Sequence, residues 1–60
     1  VAPGAEDGPA ILVVEDNEQL RHMEREMLRM TFSDCLVDAA ESVVEAESYL
    51  ASRAYDVIIS

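Results

Sequence analysis

Ile11-Leu12-Val13-Val14-Glu15-Asp16-Asn17 is the stretch that decides the fold: an unbroken apolar run that stops at two adjacent carboxylates and a residue suited to starting a helix. Four β-branched or leucine residues without polar alternation are expected of a strand covered on both faces, as in a parallel sheet flanked by helices. Glu15 and Asp16 then fall where the strand leaves the sheet. In open α/β sheets, ligands bind beyond the carboxyl ends of the strands.

Outward from that run, Leu20, Met23, Met27 and Met30 recur at three- and four-residue steps with Leu28 beside them, which predicts an amphipathic helix over 18–30. Its methionines are expected to serve as core packing rather than as a soft-metal site. Arg29 falls in the last turn, where a cation complements the helix dipole. A second strand is expected over 35–40, interrupted by Asp38 and therefore suited to an edge with one exposed side. Ser42-Val43-Val44-Glu45 has the form of a capping box, with the glutamate reaching back to the cap. It opens a helix over 43–52 whose buried stripe is read as Val43, Ala46 and Leu50, with Val44 or Tyr49 at the flank. Tyr55-Asp56-Val57-Ile58-Ile59-Ser60 is a third strand of the buried parallel kind.

The order β-α-β-α-β, with parallel strands and right-handed crossovers, gives an α/β fold: half of a doubly wound parallel sheet in strand order 2-1-3. Residues 1–9 carry both prolines and both glycines and read as a flexible lead-in or linker, leaving 10–60 as the folded unit.

Composition narrows the chemistry. Sixty residues make at most one compact unit, and chains this short often need a metal, a disulfide or a partner to hold a core. Cys35 is the lone cysteine, so no disulfide framework or cysteine zinc cluster can form, and a reducing, cytoplasmic setting is expected. Thirteen acids stand against four arginines, and the net charge of −9 disfavours nucleic acid and anionic membrane surfaces while suiting a cation or a basic partner. No apolar run reaches the length of a membrane span.

The acid pair suits a hard divalent ion, above all magnesium, which takes one or two protein carboxylates and keeps several waters. Neighbouring strand residues point to opposite faces, so Glu15 and Asp16 converge on one ion if the backbone turns there or if one acts through water. The structural alternative is that Asp16 or Asn17 caps the first helix, Asp16 having a capping-box spacing with Gln19. No glycine-rich turn follows the first strand, so a phosphate cradle of the dinucleotide or P-loop type is excluded. His22 reads as a solvated helix residue, and Glu41, Glu45 and Glu47 as a solvated face that complements a helix N-terminus. No serine, histidine and acid are spaced for nucleophilic catalysis, and no enzymatic activity is expected.

With Ile11-Leu-Val-Val-Glu-Asp-Asn17 at the first strand, Val37-Asp-Ala-Ala40 at the second and Tyr55-Asp-Val-Ile-Ile-Ser60 at the third, residues 10–60 resemble the N-terminal half of the receiver domain of two-component response regulators. The resemblance implies a flavodoxin-like fold in which Glu15 and Asp16 match the magnesium-binding acid pair. It also implies a partner histidine kinase or phosphotransfer protein, which phosphorylates an aspartate ending the third strand. That aspartate would follow Ser60, so these sixty residues are not expected to accept a phosphoryl group themselves. The family's later hydroxyl residue, its lysine and its last three helices are likewise not among them, and Val43 stands where glycine is usual. Asn17 directly after the acid pair resembles receivers attached to hybrid sensor kinases. Without the second half, the Tyr55 to Ser60 edge and the inner sides of both helices are expected to be exposed, which favours a homo-oligomer. The alternative reading is a half-flavodoxin-like, self-associating structural module without phosphoacceptor activity.

Overall fold

The computed structural model describes residues 8–60. Strand β1 (Ala10–Val14), helix α1 (Glu18–Thr31), strand β2 (Leu36–Ala40), helix α2 (Val43–Ser52) and strand β3 (Val57–Ile59) follow one another in the expected order. All strands are parallel, and β1 lies in the middle, giving the sheet β2-β1-β3. The chain is thus half of a flavodoxin-like doubly wound sheet. Each element lies within two residues of its expected bounds; Cys35, Tyr55, Asp56 and Ser60 fall just outside the strands.

The alternation of side chains along β1 divides the core into two layers. Ile11 and Val13 turn to one face, where they meet Val37, Leu28 of α1, Cys35 and Ala39. Leu12 turns to the other, joining Ala40, Ala46 of α2, Tyr49 and Tyr55. Leu12 and Val13 are fully buried at 0 % exposure, one on each face, so the apolar run of β1 is the place where both layers are anchored. Burying such a side chain is worth about 1.5–3 kcal/mol.

The ends of β1 are tied by polar groups. Asp56 straddles Ala10, donating its backbone N–H to the Ala10 carbonyl and accepting the Ala10 N–H on Oδ2, both at 2.8 Å. Pro9 is part of the ladder, its carbonyl accepting from Leu36 N at 2.8 Å. Gly8 adopts a positive φ of 70°, and a Cβ there would sit 2.1 Å from the Asp34 carbonyl oxygen, so glycine alone suits this approach. Residues 1–7 of the expected lead-in lie outside the described residues.

Helix α1 departs from the expected packing. Leu20, Met23, Met27 and Met30 are exposed, Met30 at 83 %, and do not fill the core. Leu28 is the α1 residue in the core, with Arg21, Glu24 and Arg25 half-buried on neighbouring positions. The cause is the width of the sheet. Helix α1 rests mainly on β2 and less on β1, so an apolar stripe that needs a broader floor finds none. Helix α2 behaves similarly: Ala46 is its buried residue, Tyr49 packs beside it, and Val43, Val44 and Leu50 of the expected stripe and flank are exposed. In β3, Val57, Ile58 and Ile59 are 48 %, 52 % and 37 % exposed. A sequence patterned for burial on both faces therefore stands open, as expected where the neighbouring half of the sheet is not among these residues.

Truncating β1 should cost far more than truncating the α1 stripe. Leu12→Ala is expected to remove about 2–5 kcal/mol, most of the roughly 3–9 kcal/mol that a chain of this length holds. Met30→Ala should stay within about 0.5 kcal/mol. Thermal unfolding followed by far-ultraviolet circular dichroism separates the two, and equal losses would contradict the exposed placement of Met30.

Candidate functional site

The ladder between β1 and β2 runs one residue past the strand: Glu15 N–H donates to the Ala40 carbonyl at 2.9 Å. Glu15 is thereby held as firmly as a strand residue although it lies on the rim. Its carbonyl accepts from Arg21 Nη1 at 3.0 Å, and its carboxylate Oε2 accepts the Asn17 N–H at 3.0 Å. Asn17 has extended backbone angles, and its Oδ1 accepts the Leu20 N–H at 3.0 Å, which makes it the N-cap of α1. Of the two cap candidates in the sequence, Asn17 takes the role.

That choice frees Asp16. It is exposed at a bend in the backbone between the half-buried Glu15 and the cap, beside the positive end of the α1 dipole. The bend meets one of the two conditions under which neighbouring carboxylates can approach a common ion. Glu15 has one oxygen engaged by the Asn17 amide, and a carboxylate offers two oxygens, so a second direction of acceptance remains. Among the described residues, no three acid, histidine or cysteine side chains gather into a group that could hold a metal ion. The pair matches what magnesium asks of a protein, one or two carboxylates with the remaining positions left to water and phosphate oxygens.

The sheet register brings β3 toward the same rim. Ile59 pairs with Val13, so the carboxyl end of β3 runs alongside the last steps of β1 before Glu15.

The other acids and nucleophiles are occupied in structure or exposed. Glu45 closes the capping box, accepting the Glu41 N–H at 2.7 Å while its own N–H donates to Ser42 Oγ at 3.1 Å. The glutamate thus reaches the residue before the cap, not the cap's own amide as the sequence motif implied. Glu41 and Glu47 are exposed. His22 is exposed on α1. Cys35 packs against the Ile11 layer, and burial followed by the nearby Asp34 raises its thiol above the usual range, which keeps it protonated and unreactive.

Two participants were missed in the sequence. The apolar stripe of α1 places Arg21 on another face of the helix, yet its guanidinium reaches back from the first turn to the Glu15 carbonyl. A long cationic side chain in the first turn after a strand-ending acid pair was the available signal. Asp38 was read as the exposed side of an edge strand. It lies half-buried on the α2 face and accepts a hydrogen bond from the Tyr55 hydroxyl at 2.5 Å, with Arg53 Nε at 3.9 Å. Because β1 separates β2 from β3, this bond ties the segment before β3 to the far edge of the sheet.

No helix among the described residues is long and apolar enough to cross a membrane. No protein-family model, curated protein or solved structure matches the chain.

The Tyr55 bond has a pH signature. Burial first, and the hydrogen bond to Asp38 second, push the phenol up from 10.0 to about 12. The folded state therefore favours the neutral form, so the stabilisation is complete below about pH 10 and is lost as pH rises through about 12. Urea midpoints measured across that range should fall more steeply for the parent chain than for Tyr55→Phe. Parallel curves would remove Tyr55 as the cause.

Proposed function

We propose that the chain is the N-terminal portion of a phosphoacceptor receiver acting in phosphorelay signalling in the cytoplasm, with Glu15 and Asp16 as its magnesium ligands. The observation that carries this reading is the juxtaposition at one rim: the acid pair leaves the middle strand, and the register of Ile59 against Val13 leads β3 to the same place. The position after Ser60 would then lie beside Glu15, where an acceptor aspartate belongs.

In the complete site, the ion bound through Glu15 and Asp16 would offset phosphate charge. The aspartate would attack the phosphorus of a phosphohistidine on a histidine kinase or phosphotransfer protein, forming the acyl phosphate bond as the phosphorus–nitrogen bond breaks. This chain's own residues contribute the fixed part. Arg21 and the Ala40 carbonyl hold the Glu15 backbone, and the Asn17 cap leaves Asp16 free to bind. The sixty residues contain no acid at the acceptor position, so transfer belongs to a longer chain.

A second reading, a half-flavodoxin-like module that self-associates, is favoured by one observation: β3 and the Leu20, Met23, Met27 and Met30 stripe are exposed together. Exposed apolar side chains of this kind suit a surface that associates. The two readings are compatible, since a homo-oligomer would cover what a second half-domain covers elsewhere.

Treatment of the sixty-residue chain with acetyl phosphate or phosphoramidate and magnesium should leave its intact mass unchanged. A chain extended by an aspartate after Ser60 and by the remaining strands should gain one acid-labile phosphoryl group, and should lose that gain with Asp16→Asn. An extended chain that folds yet never labels would refute the phosphoacceptor reading. Sedimentation of the sixty-residue chain at micromolar concentration should give a dimer or larger species; a folded monomer would count against self-association alone.

A further inference from the structure

Away from the acid rim, the positive charge of this acidic chain is concentrated on one helix. Arg21, Arg25 and Arg29 recur at every fourth residue of α1, with His22 beside them. Glu18, Arg21, His22 and Arg25 stand at the three- and four-residue steps that share a helix face. Together with Ala39 of β2 they line a groove of about 210 Å³.

Two features of the groove call for an acceptor. Arg25 Nε is shielded from water yet has no hydrogen-bond partner. Its nearest carboxylate oxygen, Glu26 Oε2, lies 3.7 Å away, beyond hydrogen-bond range, and the same oxygen lies 3.4 Å from Arg29 Nη1. A charged N–H group withdrawn from water without an acceptor carries a desolvation cost that a ligand oxygen would remove. The second feature is the strand edge. Leu36 N–H donates to Pro9 and the Ala40 carbonyl accepts from Glu15, so alternate residues of β2 turn their polar groups to β1. Ala39, between them, turns its N–H to the free edge beside the groove.

We propose that this groove binds a small dianionic oxyanion of the phosphate class, held by the guanidinium groups of Arg21 and Arg25 and by the imidazole of His22. Arg21 spends one N–H on the Glu15 carbonyl and retains others from its five donors. Guanidinium groups meet tetrahedral oxyanions through paired N–H donors, and the attraction grows with the charge of the ligand. A tetrahedral oxyanion offers more acceptor oxygens than a carboxylate and can meet both guanidinium groups at once, while Glu18 in the lining and the net charge of −9 oppose it. The site lies on α1 and the β2 edge; it touches the rim only through the bond of Arg21 to the Glu15 carbonyl, uses neither rim carboxylate and does not depend on the phosphoacceptor reading.

The test is a nitrogen-15 NMR titration of the sixty-residue chain at constant ionic strength, with inorganic phosphate in one arm, glycerol phosphate in another and chloride as the balancing salt. Saturable shifts centred on Arg25 Nε–H, His22 and Ala39 are expected in at least one phosphate arm. Saturation by inorganic phosphate alone assigns the free ion, and saturation by the ester assigns a phosphomonoester. Arg25→Gln should weaken binding by roughly tenfold, the loss of a charge-assisted contact. Glu18→Gln should tighten it by about two- to fivefold, and Arg53→Gln should leave it unchanged. His22→Ala, at an exposed position, supplies a weakening that does not depend on the fold of the Arg25 variant. Linear shifts without saturation in both arms, or affinities of the Arg25 and His22 variants unchanged from the parent chain, would overturn the proposal.

Discussion

Burial of β1 on both faces is the constraint on which the rest of the structure depends. Leu12 and Val13 are neighbours in sequence and fully buried on opposite sides, so one pleated run anchors two separate apolar layers. Backbone pairing doubles the effect, because β1 is the strand that hydrogen-bonds to both others. Its geometry also fixes the rim: once Val14 is the last paired residue of the strand, Glu15 must leave the sheet, and the Ala40 carbonyl holds it there by one further ladder bond. Core and candidate site are thus consequences of the same seven residues.

Most of the fold could be read from the sequence because its signals are local. The apolar run of β1, the Ser42 to Glu45 capping motif and the helical periodicities each reflect interactions within a few residues, and each element formed within two residues of its expected bounds. What could not be read was the depth of packing. A helical stripe such as Leu20, Met23, Met27 and Met30 records an affinity for an apolar surface, but it carries no information on whether that surface exists. On a three-stranded sheet, α1 settles over β2 and packs the half-buried Leu28 against it, with Arg21 and Arg25 also half-buried. The same limit applies to β3, whose β-branched run was patterned for two covered faces and has neither closed.

The candidate site divides in the same way. That Glu15 and Asp16 would stand at a strand end follows from the length of the apolar run. That Asn17, not Asp16, would cap α1 does not, since both residue types serve as N-caps and differ little in preference. The outcome matters chemically. A capping Asp16 would have spent its carboxylate on backbone amides, whereas the Asn17 cap leaves a full negative charge exposed at the rim. Glu15 then turns one oxygen to the Asn17 amide, so the two acids differ in freedom: one anchored, one open.

The charge pattern of α1 connects these observations. Glu18 opens the helix, where the dipole favours it, Arg29 closes it, and Arg21, Arg25 and Arg29 recur at fourth-residue spacing with Glu24 and Glu26 between them. In a complete apolar layer, the Leu20 to Met30 stripe would face inward and swing the arginines into solvent. Here the stripe is bare, Arg21 reaches the Glu15 carbonyl and Arg25 has its Nε shielded from water. The orientation of α1 thus bears on two features at once: how much of the methionine stripe is bare, and how Arg21 meets the Glu15 backbone.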